Sequence, residues 1–148
     1  MKKMIYVLVI SLLSLTIFSC AKKNDTSSTT TTTSFAPPSW IQGAWVDNVS
    51  SSTKYGFKFD SSDVYLVIFG TVTAGYVAAG VKMTELTSTD SAFSYSYPLT
   101  VTSGGETSSG TATYVFAKVT TSIIGLTGSS TVSGVSVSPD NFTKDTSL

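Results

Sequence analysis

The chain has no histidine and no arginine, one cysteine (Cys20) and four prolines. Nine lysines balance nine acidic residues. Each scarcity excludes a class of function. Without histidine there is no Ser-His-Asp or Cys-His pair and no histidine-containing zinc site. Without arginine, and with no net charge, the chain has neither a bidentate phosphate or base reader nor a basic field, which excludes nucleic acid as a partner. One cysteine cannot form an internal disulfide. The longest uncharged apolar run, Met4 to Phe18, reaches only about 22 Å as a helix, short of the roughly 30 Å hydrocarbon core. What is abundant is Ser and Thr, together 50 of 148 residues, beside 41% apolar residues. The length allows one domain.

The apolar run follows Met1-Lys2-Lys3 and ends on Ser19-Cys20-Ala21. A positive start, a short apolar stretch and small residues predict a cleaved export signal over residues 1–19. Ile17-Phe18-Ser19-Cys20 resembles the end of a bacterial lipoprotein signal, with Phe18 bulkier than that position usually holds. The resemblance implies a diacylglyceryl thioether on Cys20, cleavage before it and acylation of the new amino terminus. Two or three acyl chains hold a protein stably at a bilayer where one does not. Ala21, in place of an Asp, implies the outer membrane of the cell envelope and leaves open which face is occupied. The alternative is an ordinary signal peptide with a chance cysteine.

Residues 20–38 (CAKKNDTSSTTTTTSFAPP) have little to bury and predict a polar tether closed by Pro37-Pro38. From Ser39 to Leu148 the dominant period is two. Tyr55, Phe57 and Phe59 alternate with Lys54, Gly56 and Lys58; Phe93, Tyr95 and Tyr97 with Ala92, Ser94 and Ser96; Tyr114 and Phe116 with Thr113 and Val115. Strands are also expected over Ile41–Val46, Val64–Phe69, Tyr76–Leu86, Ser122–Leu126 and Val132–Val137; over Tyr76–Leu86 the alternative is a short helix, which Ala74, Ala78 and Ala79 tolerate. Ser103–Gly110 reads as the longest flexible loop, and the tail from Pro139 as loose or a last strand. About eight short strands without helices define an all-β class. An antiparallel sheet of that size covers its apolar face by closing into a small up-and-down barrel or by stacking as a two-sheet sandwich.

Gly43-Ala44-Trp45, followed by Tyr55-Gly56-Phe57-Lys58-Phe59, resembles the first two strands of lipocalins and lipocalin-like bacterial lipoproteins. The resemblance implies a barrel in which Trp45 packs across the closed end and Gly43 allows close backbone approach, both structural roles. In that family a late arginine covers the tryptophan, and this chain has none.

No catalytic constellation is visible. The acids lie almost all in turns or tails, Glu85 alone within an expected strand, and Asp60 and Asp63 flank a tight turn that needs no metal. Neither catalytic residues, metal ligands nor a cofactor are assigned. If the barrel holds a small apolar ligand, Phe57, Phe59, Phe93 and Tyr95 are the expected lining; the alternative is that they fill the core. The function expected is therefore a non-enzymatic envelope protein, lipid-anchored at Cys20, whose lipocalin-like domain takes an apolar ligand. The alternative is a structural or adhesive module that binds a protein or glycan.

Overall fold

A computed structural model describes residues 34–50 and 53–148. The lipid-anchor assignment on Cys20 and the export signal lie outside the described residues. Among the described residues there are nine antiparallel strands: β1 Gly43–Ser50, β2 Thr53–Phe59, β3 Val64–Ile68, β4 Thr71–Val72, β5 Thr84–Ser88, β6 Ala92–Ser103, β7 Glu106–Lys118, β8 Ile123–Ser130 and β9 Asp140–Asp145. They form a single sheet in the order β4-β3-β2-β1-β9-β8-β7-β6-β5. Two meanders, β1 to β4 and β5 to β9, are joined where the first strand pairs with the last through Ala44↔Asp145, Trp45↔Lys144 and Val46↔Thr143.

The expected period-two faces become the inner face of this sheet. Phe57 and Phe59 on β2, Phe93, Tyr95 and Tyr97 on β6, Tyr114 and Phe116 on β7, Ile124 and Leu126 on β8 and Phe142 on β9 share one buried cluster with Trp45. Their contacts measure how far the sheet curls. β2 and β7 are four ladder steps apart, about 19 Å in a flat sheet. Yet the rings of Phe57 and Phe116 meet at 5.3 Å, and those of Phe59 and Phe116 at 5.2 Å. One half of the sheet has folded over to face the other.

The curl stops short of closure, which corrects both the barrel and the sandwich. The strands belong to one ladder, not two stacked sheets, and its ends, β4 and β5, do not pair with each other. Three local features account for this. β4 has only two residues. β5 carries a register shift between Glu85 and Thr87, and a bulge of this kind twists an edge away from further pairing. Between them, the stretch expected as a strand from Tyr76 is a helical turn, with Ala79 N donating to Gly75 O and Val81 N to Tyr76 O. Asp63, only 4% exposed, holds that turn. Its Oδ1 accepts from Val64 N at 2.7 Å and Val77 N at 2.8 Å, and its Oδ2 from Ala78 N at 2.9 Å.

The start of the described chain lies across the open side. Phe35 is buried against Phe93 and Tyr95 at 5.7 and 5.4 Å. Ala36 N donates to Glu85 Oε2, and Trp40 Nε1 to Thr89 O. The stretch Ser34–Pro38, the end of the expected tether, thus delivers one aromatic ring to the core.

Two further expectations change. Ser103–Gly110 is no loop. Ser103 pairs with Glu106 around Gly104-Gly105, whose φ values of 61° and 85° fit the tight two-residue turn that matches strand twist. β6 and β7 therefore run on as a ribbon beyond the ends of their neighbours. The last strand is Asp140–Asp145, whereas Val132–Val137 is irregular.

Replacing Asp63 by Ala should leave the amides of Val77 and Ala78 without their acceptor. We expect a loss of about 2–3 kcal/mol in denaturant unfolding, with faster hydrogen exchange at those two amides than at the β6–β7 ladder.

Candidate functional site

The four residues expected to line a ligand site are brought together. Phe59 meets Phe93 at 6.1 Å, Phe93 meets Tyr95 at 5.9 Å, and Phe57 lies 6.3 Å from Phe59. They meet as core, however. All four are buried, and Phe116 is wedged among them, in contact with Phe57, Phe59 and Tyr95. Phe35 covers Phe93 and Tyr95 from the open side. Edge-to-face rings at these distances are favourable aromatic pairs. A carrier would need the same rings to stand apart as opposite walls.

The two structural assignments have a concrete geometry. Trp45 is buried, and its Nε1 donates to the carbonyl of Ile41. Lys144, on β9, places its Nζ 5.1 Å from the centre of the Trp45 ring, a cation–π contact. Gly43 has a φ of 108°, and a Cβ there would lie 3.3 Å from Lys144 Cε. Gly43 therefore supplies both a left-handed backbone and room for the lysine stem. The sequence alone does not mark this lysine as the partner of Trp45. Its signal is a cation in the last strand, legible only once β9 is known to pair with β1.

Sequence reasoning also missed a tyrosine quartet at one end of the core. Tyr97 and Tyr114 stack with ring centres 5.9 Å apart and planes 2° from parallel. Tyr76 reaches Tyr97 at 5.6 Å, and Tyr95 lies 5.7 Å from Tyr114. Burial pushes all four phenols above their ordinary value of 10.0, with neighbouring tyrosines adding to the rise for Tyr76, Tyr95 and Tyr97. Alternation put these residues on one face; the loop that carries Tyr76 inward had no such period.

Asp60 and Asp145, like Asp63, are occupied in holding the fold. Asp60 Oδ1 accepts from Ser62 N and Asp63 N at 2.7 Å, and Oδ2 from the Tyr65 hydroxyl at 2.6 Å. The Tyr65 hydroxyl holds the Asp60 carboxyl below its ordinary range, and in turn the Tyr65 phenol rises to about 12. Lys54, bonded to Asp145 at 2.6 Å, lowers that carboxyl to about 2. Among the described residues, no group of three or more His, Cys, Asp or Glu is placed to hold a metal ion.

No family model, curated protein or solved structure matches the chain. The lipocalin-like carrier is thereby corrected. The sheet is open, the rings proposed as lining pack against one another, and no relative supports the resemblance. The lipocalin and barrel descriptions fall with it, and the all-β class remains.

The quartet makes stability depend on pH in one direction. These phenols are packed neutral, so their contribution is fully present below about pH 10, the ordinary phenol value, and is lost as pH rises toward their higher folded values. Unfolding midpoints should fall steeply above that pH. Phenolate absorbance from the quartet should appear together with unfolding; ionisation of all the tyrosines ahead of it would contradict this burial.

Proposed function

We propose that the chain is an exported protein held at a bacterial envelope membrane by lipid on Cys20. On this reading its β domain works through its outer surface, without an interior ligand and without catalysis. The anchor reading is supported by the sequence: the chain's one cysteine stands where an uncharged apolar run ends on Ile17-Phe18-Ser19-Cys20. The surface reading is carried by the filled interior, in which ring meets ring across the curled sheet.

The outer face of the long β6–β7 pair suits such a role. Pro98, Thr100 and Thr102 lie opposite Thr111, Ser109 and Thr107, all of them exposed. Two of the pairs are tied hydroxyl to hydroxyl, Thr100 to Ser109 at 3.0 Å and Thr102 to Thr107 at 3.1 Å. These cross-strand pairs steady a ribbon that has no third strand beside it. These six side chains make an uncharged, largely hydroxyl-bearing surface, chemistry that fits a neutral polar partner such as a glycan or a protein surface rather than an ion or a nucleic acid.

In the native host, Cys20→Ser should leave the chain unprocessed and move it out of the lipid-bound fraction. Mass spectrometry of the mature amino-terminal peptide should show an acylated cysteine in the parent protein. An unmodified Cys20, or membrane retention unchanged by the substitution, would refute the anchor.

A further inference from the structure

β3 and the residue after it read Val64-Tyr65-Leu66-Val67-Ile68-Phe69, without a charge, a proline or a glycine, and apolar on both faces. Six such residues of high β-propensity are the composition that stacks on copies of itself when its backbone edge is left unpaired. β3 lies next to the end of the sheet, with β4 beyond it. β4 covers only part of that edge, pairing Val67 with Val72 and Ile68 with Thr71. Taken alone, it would leave Val64 and Leu66 open to another chain.

The chain after β4 covers the remainder without being a strand. Thr73 N donates to Leu66 O at 2.9 Å, and Thr73 Oγ1 accepts from Leu66 N at 3.1 Å. Tyr76 N donates to Val64 O at 3.0 Å, while Val64 N is taken by Asp63 Oδ1. The cover then winds into the helical turn after Gly75, so it presents no extended edge of its own. Asp63 fastens it. The carboxylate that occupies Val64 N also accepts from Val77 N and Ala78 N, tying the far end of the cover to the first residue of β3. Gly75 belongs to the same fastening, because a Cβ there would overlap Asp63 Oδ2 and come within 2.9 Å of Tyr65 Cε1.

We propose that residues 71–78 are an autoinhibitory edge cover latched by Asp63, whose release lets residues 64–69 pair edge to edge with the same segment of a second copy of this chain. The second copy is the fitting occupant for two reasons. Identical uncharged side chains interdigitate without burying a charge. A strand laid on that edge also gives Val64, Leu66 and Ile68 the kind of backbone partners that the cover now supplies. In the latched state the cover wins because its bonds lie within one molecule, where the effective concentration is high. This contact needs no lipid at Cys20.

The test compares the full chain with its Asp63→Ala and Gly75→Ala variants in mild nonionic detergent, by sedimentation velocity and hydrogen exchange. The parent should stay monomeric. Each variant should keep its near-UV dichroism and associate increasingly with concentration. In dilute solution the Leu66 amide of the variants should exchange at least about tenfold faster than in the parent. On association it should become protected again, while the amides of Val77 and Ala78 stay fast. Association with Leu66 still fast would put the contact on another surface and overturn the proposal. Variants that stay monomeric with Leu66, Val77 and Ala78 all exposed would overturn it too, as would a parent that associates as readily as they do. Unchanged protection of Leu66 in dilute solution would show that Asp63 is no latch. If both substitutions abolish the near-UV signal, Asp63→Asn, which keeps one acceptor oxygen, takes their place. Loss of the signal there as well would make Asp63 a support of the whole domain, against the proposal.

Discussion

The contact of Phe116 with Phe57 and Phe59 is the constraint from which the rest of the structure follows. Strands four ladder steps apart touch through these rings, and that contact turns an open meander into an enclosed core. Each ring comes from the apolar side of an alternating strand, so the sheet must present one continuous face and bend it inward. Removing such a ring from a filled core typically costs about 3–5 kcal/mol, a large part of the roughly 5–15 kcal/mol by which a domain of this kind is stable. The polar outer face is the complement of the same alternation.

Where the curl ends is decided by polar groups. Asp63 draws the backbone after Gly75 into a helical turn, and a segment so held cannot extend as a ladder strand. Phe35 and Trp40 then lie across the open side, with Ala36 bonded to Glu85 and Trp40 to the carbonyl of Thr89. The domain thus covers the β5–β6 side of its core with a strap, where a closed barrel would use a ninth ladder between β4 and β5. That exchange leaves edges at β4 and β5, both short, one of them bulged, which limits their use as templates for pairing with other chains.

Alternation made the strands around Phe57, Phe93 and Tyr114 legible in the sequence, along with the tight turn at Asp60–Asp63 and the burial of the aromatic side chains. It could not reveal closure, because ladder order depends on which edges meet, and the decisive β1–β9 pairing joins segments with no local signal in common. The Tyr76 region misled because β-branched Val77 and Val81 favour extension, whereas Asp63, remote in sequence, imposes the turn. Gly104-Gly105 was embedded in Ser and Thr and so resembled a loop, although two residues of positive φ make a tight hairpin. Of the candidate site, the clustering of Phe57, Phe59, Phe93 and Tyr95 was legible, and the filling of the space between them by Phe116 was not. Lys144 over Trp45 depended wholly on tertiary pairing.

Placing the first and last strands side by side at the middle of the sheet has a consequence for biogenesis. β1 finds its second neighbour only when β9 has been synthesised, so the apolar face cannot be fully covered while the chain is still emerging. Non-local pairings of this kind carry a loop-closure cost that local hairpins do not. The architecture thus withholds the finished core until β9 has been made, and until then the apolar side of the earlier strands stands partly open.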